Sequence, residues 1–164
     1  MKNSVRRRLH IAFAILTTAT VWACGPKMIE DTQIEATDIN MEIYQVIQQY
    51  RRAMEERDVA ALNAVVSREY FDNQATTDTN QDDYGYDKLK EQMMPVLRDN
   101  IKKVRMDLRL MEIGVRGERA HASFEYVARF LFTEGGKDGW ITKNDFNRLE
   151  FVKEDGNWRI ISGL

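Results

Sequence analysis

The chain of 164 residues holds one cysteine, Cys24, and two histidines, His10 and His121. Thiols and imidazoles are the side chains most easily tuned for acid–base and nucleophilic work near neutral pH. Here they are too few for a histidine-rich metal cage or a Cys–His nucleophile pair. His121 alternates with Ala120 and Ala122, so it points away from that segment's apolar face and reads as a surface histidine, not as a general base in a pocket. Oxygen ligands are more plentiful. The stretch "TTDTNQDDYGYD" offers Asp78, Asp82, Asp83 and Asp87, but its spacing fits no EF-hand and lacks the closing glutamate. A solvated loop is expected there, with no metal, and no motif in the chain calls for a cofactor.

Cys24 has a different setting. It follows a head in three parts: basic "MKNSVRRR", apolar "LHIAFAILTTATV", and "WA" at a small-residue junction. The apolar run is shorter than the ~20 residues of a spanning helix. It also lacks the polar face of a core helix. Residues 1–23 therefore read as a secretory signal peptide. Val21-Trp22-Ala23-Cys24 resembles the lipobox of bacterial lipoproteins, Trp22 departing from the small or aliphatic residue usual at its place. The resemblance implies cleavage before Cys24 and acylation of it, and several acyl chains anchor firmly where one anchors marginally. Export implies an oxidising compartment, in which an unpaired exposed thiol is a liability. Gly25 stands where an aspartate would resemble an inner-membrane retention signal, so the outer membrane, facing the periplasm, is the expected location.

Those residues must be carried by a folded domain. With 43% hydrophobic and 30% charged residues, 2 Pro and 9 Gly, the composition is that of a globular protein and excludes collagen-like and disulfide-rich classes. The net charge of −2 includes Lys2, Arg6, Arg7 and Arg8 of the head, so the remainder is more acidic and ill suited to a nucleic-acid partner. The cluster Arg98, Lys102, Lys103 and Arg105 alternates with Asp99 and Asp107 and reads as a mixed solvated surface.

Residues 24–39 read as the lipidated cysteine and a tether, and 40–164 as one domain. Ile43, Val46, Ile47, Tyr50 and Met54 recur at helical spacing, with Asn40 as the expected N-cap. Asp58 caps a second, shorter helix bearing Leu62, Val65 and Val66. A polar loop follows, then a third helix from Tyr86 to about Asp99, which Pro95 should kink or shorten. The period then switches to two in four successive strands. In the first, the alternation slips phase at Met111-Glu112, which predicts a bulge that keeps the apolar face inward. The second presents Ala120, Ala122, Phe124, Tyr126, Ala128, Phe130 and Phe132 on one face. The third, "WITKNDFNRLEFVK", is expected to bend near Asn144-Asp145, and "EDGN" turns into the last. Helices first and antiparallel strands after make an α+β fold.

Three stretches carry a likeness to a known family: "YRRAMEERDVAALNAVVSREYFD", "GVRGERAHASFEY" and "LEFVKEDGNWRIISG". Over Met41 to Leu164 the pattern resembles the NTF2-like superfamily, especially its SnoaL-like branch. The resemblance implies a cone: three N-terminal helices on a curved antiparallel four-stranded sheet, with an open end that often binds ligands and an outer sheet face that often forms homodimers. The superfamily includes ketosteroid isomerases, dehydratases and polyketide cyclases as well as members without known activity. An isomerase-type site would need a carboxylate base and a tyrosine donor. Asp72 and Tyr126 are the catalytic candidates, and Tyr70, Tyr126 and Trp140 the candidate pocket residues. Core packing for the aromatics and turn capping for Asp72 compete with those roles. The expected function is a lipid-anchored, non-catalytic module that binds a small apolar ligand or another envelope protein. The alternative is an isomerase, dehydratase or cyclase.

Overall fold

The computed structural model describes residues 25–73 and 83–164. Residues 1–23, read as a signal peptide, and Cys24, Asp78 and Asp82 lie outside the described residues. Helix α1 spans Asp38–Glu56 and buries Ile43, Val46, Ile47, Tyr50 and Ala53 along one stripe. Its N-cap is Thr37, not Asn40: the Thr37 hydroxyl accepts from the Asn40 amide at 3.2 Å, while the Asn40 side chain donates back to the Glu35 carbonyl. Asn40 therefore serves as the donor in this cap and lies inside the helix. Before it, Lys27–Ala36 forms a small turn closed by a bridge between Met28 and Glu35, with Ile29 buried. Asp58 caps α2, Val59–Val65, accepting from the Ala61 amide at 2.9 Å.

Two short strands, β1 (Phe71–Asp72) and β2 (Tyr84–Gly85), pair antiparallel where a plain polar loop is expected. Helix α3 then runs through Tyr86–Lys88, a π-helical turn at Leu89–Met93 and an α-helical end at Met94–Asp99. The wide turn is the answer to Pro95. A proline ring clashes with the carbonyl four residues back and donates no hydrogen bond. Here the neighbouring Met94 amide reaches five residues back to Leu89, and the helix continues without breaking.

The main sheet is an antiparallel meander of β3 (Ile101–Arg116), β4 (Arg119–Glu134), β5 (Lys137–Glu154) and β6 (Asn157–Ser162). The β3–β4 register shifts between Leu110 and Glu112, so the phase slip in the sequence is a bulge. It lets Leu110 face Phe124 and Ile113 face Ala122 on the same inner side. The β4–β5 register runs unbroken from Glu134–Lys137 to Arg119–Val152, so no bulge interrupts β5 at Asn144–Asp145. Asp155 and Gly156, both at positive φ, make the two-residue turn into β6, the geometry that matches strand twist.

The core lies between α1 and the inner sheet face, where Phe124, Leu149, Phe151, Ile160, Ile43 and Ile47 are fully buried. Polar contacts lock the layers. Glu42 on α1 accepts from Trp158 Nε1 and Lys153 Nζ, each at 3.0 Å. Glu55 accepts the Met106 amide on the outer edge of β3, and Arg57 donates to the Ile101 carbonyl. Two backbone groups of this edge strand are thereby paired by α1 and the residue that follows it.

Candidate functional site

Strand β6 pairs only with Glu150–Glu154 of β5, leaving the long first part of β5 with no strand on that side among the described residues. The sheet opens there. A cavity of about 720 Å³ lies inside it, between α1, the inner sheet face and the chain at Asp72–Asn73 and Ser162–Leu164. One wall is apolar, from Met54, Met106, Ala128 and Phe130. The adjoining strand β5 continues this face with Lys143, Asp145 and Asn147. Tyr126 stands directly across from Asp145 in the strand register, Ala128 across from Lys143, and Phe124 across from Asn147. Burial raises the Tyr126 pKa and the Asp145 carboxylate raises it further, so the phenol remains a proton donor.

At the inner end of the cavity is a buried polar cluster. Tyr70 Oη donates to Asp72 Oδ2 at 3.0 Å and lies 3.4 Å from Tyr84 Oη. Tyr84 Oη donates to the Leu164 carbonyl at 2.9 Å, and the Leu164 amide donates to Tyr70 Oη at 3.0 Å. Asp72 Oδ2 also accepts the Gly163 amide at 2.7 Å, while Asn147 Nδ2 donates to the Gly163 carbonyl. Asp72, only 6% exposed, is thus engaged by a phenol and a backbone N–H. Gly163 has φ +94, and a Cβ there would collide with the Arg148 carbonyl, so glycine is required for this close approach.

Burial drives the Tyr70 pKa far upward, with the Tyr84 hydroxyl adding to it, and burial raises Tyr50 likewise. The sign follows directly. Above about pH 10 the unfolded chain releases these protons while the folded state keeps them, so stability falls as pH rises. Chemical denaturation between pH 8 and pH 11 should show that fall, and Tyr70→Phe should make it shallower.

The candidate residues separate clearly. Asp72 and Tyr126 line the cavity. Tyr70 stands behind Asp72 and holds it. Trp140 pairs with Leu131 on the outer sheet face, is 53% exposed and does not line the cavity, because its parity in β5 is opposite to that of Leu149 and Phe151. His121 is also on the outer face, stacked over Gly114 and 3.5 Å from Glu112. Of the basic cluster, Arg98 pairs with Asp99 and Lys102 with Asp138, as expected of a mixed surface. Among the described residues no three His, Cys, Asp or Glu side chains gather as a metal site. Lys143, Asp145 and Asn147 escape a reading based on apolar alternation. Their signal is parity: they continue, two by two, the inward positions Phe151 and Leu149.

Comparison with known proteins agrees with this geometry. The sequence profile of the SnoaL-like domain matches residues 35–162. Among solved structures, a candidate aromatic ring hydroxylase from Novosphingobium aromaticivorans superposes with a TM-score of 0.63 at 14% identity, over 77% of this chain and 86% of that one. A candidate scytalone dehydratase from the same species gives 0.59 at 13% identity, over 76% and 81%. An NTF2-like superfamily protein from Salmonella enterica gives 0.58 at 18% identity, over 77% and 88%. No match to the chain was found among curated proteins. At such identities the structural likenesses speak for the fold alone, but the profile spans most of the chain, and with it the helices, the bulged meander and the open cone. The chain belongs to the SnoaL-like domain family, with the NTF2-like fold.

Proposed function

We propose that this chain is a lipid-anchored protein of the bacterial cell envelope whose cone binds a small, partly apolar organic molecule without transforming it. The observation that carries the reading is the state of Asp72. It is the deeply buried carboxylate at the cavity, and its Oδ2 accepts from both the Tyr70 hydroxyl and the Gly163 amide. A general base needs a lone pair directed at substrate. Both contacts on Asp72 Oδ2 instead hold the chain at Gly163 and Tyr70, which gives this carboxylate a structural task. The cavity's paired character, apolar on β3 and β4 and polar on β5, suits a ligand with an apolar body and a few hydrogen-bonding groups.

A second reading, an enzyme of the dehydratase or isomerase kind, draws on Tyr126 facing Asp145 in the same cavity as Asp72. Solved proteins of this fold named as a candidate scytalone dehydratase and a candidate ketosteroid isomerase lean the same way.

Ala128→Trp discriminates for the cone itself. Ala128 lines the cavity, so an indole there fills the space. Titration with an apolar fluorescent dye should show at least about tenfold weaker binding, read where a cooperative denaturation transition shows the variant folded, since Ala128 is itself fully buried and the indole also crowds the inner face. Unchanged dye affinity would sink the proposal. For the anchor, Cys24→Ser should shift the protein out of the membrane fraction or stall its processing. Retention of the variant in membranes would count against a lipid on Cys24.

A further inference from the structure

A second cavity, of about 180 Å³, lies in the helical layer. Its walls are apolar: Leu62 of α2, Leu89, Met93, Met94 and Leu97 of α3, and Ile101 of β3. It is comparable to engineered apolar cavities of ~150 Å³ that stay dry and take up benzene. Tyr50, Met54 and Leu164 line this cleft and the cone cavity alike. The partition between the two is therefore only side chains thick. Leu164 is held there through its backbone, by Tyr70 and Tyr84, and those bonds do not fix its side chain. Met54 is unbranched and adapts its shape readily. The π-helical turn widens α3 at this spot and ends at Met93, which with Val96 forms an exposed rim, 42% and 48% accessible respectively.

We infer that the two cavities are one bipartite site for a single-chain amphiphile with an anionic head, such as an alkanoate. The head lies in the cone against Lys143, which is in none of the ion pairs among the described residues. Asp145 on the same wall restricts the anion to a single carboxylate at Lys143, and the Asn147 amide is already given to the Gly163 carbonyl. The tail passes between Met54 and Leu164 into the helical cleft, where methionines at Met54, Met93 and Met94 accommodate chains of differing length. This rests on the proposal that the cone binds small molecules, and it adds the ligand's class and the path of its tail.

The test is calorimetric titration of the full chain with alkanoates from octanoate to hexadecanoate, below their micellar concentrations. Affinity should rise about fourfold per added methylene as each is buried. Val96→Trp, at the exposed rim where folding tolerates a large side chain, should end that rise at a shorter chain. Met93→Trp is a second obstruction at the same rim. Identical chain-length profiles in the native protein and both variants would overturn the tail's placement while leaving cone binding intact. Dye binding without alkanoate binding would overturn the ligand class alone. Absence of both would overturn this inference and the proposed function together.

Discussion

Asp72→Ala should lower the free energy of unfolding by about 2–4 kcal/mol, because two buried donors lose a charged acceptor at once. The Tyr70 hydroxyl and the Gly163 amide converge on Asp72 Oδ2 at 3.0 and 2.7 Å. The loss spreads, because Gly163 is also gripped by Asn147 and Leu164 by Tyr70 and Tyr84. One substitution therefore loosens β1, the chain after β6 and the inner end of the cavity together. Asp72→Asn keeps an acceptor oxygen in the same shape and should recover most of the loss. Urea denaturation followed by fluorescence of the buried Trp158 measures both. Were Asp72 a base held for chemistry alone, the two variants would be equally stable.

Phe124→Ala should cost about 3–5 kcal/mol, the range for truncating a buried aromatic that its neighbours cannot replace. Phe124 is fully buried, faces Leu110 beside the β3 bulge, and meets the Tyr126 ring edge-on at a centroid distance of 6.4 Å. It is the floor on which Tyr126 stands. Truncation should therefore also weaken ligand binding, as Tyr126 loses its support and the cavity deepens. The same denaturation measurement, paired with dye titration, checks both effects. A loss under about 1 kcal/mol would mean that the inner face packs differently from this account.

Much of the frame is legible in the sequence because it follows from period and from caps. The helical stripe Ile43–Val46–Ile47–Tyr50, the Asp58 cap, the alternation of β4 and the slip at Met111 each depend on near neighbours, and near neighbours are what a sequence displays. The site is less legible because it is assembled from distant parts. Asp72 looks like a turn cap until Gly163, remote in sequence, donates to it. Tyr84 sits in what reads as a polar loop and proves to be a buried β2 residue. Trp140 and Tyr126 are both aromatics in strands, and strand register alone sends them to opposite faces. The N-cap differs for a local reason: Thr37 and Asn40 can both cap, and here Thr37 accepts while Asn40 donates twice, from its amide N–H to Thr37 and from its side chain to the Glu35 carbonyl.

Ligand occupancy of the cone is measured most directly by native mass spectrometry of the full-length protein. A cone that binds a small organic molecule predicts a discrete mass above that of the polypeptide and any covalent modification, released on collisional activation and absent in Ala128→Trp. Native and Ala128→Trp proteins each at the mass of their own polypeptide, with no releasable molecule in either, would contradict it.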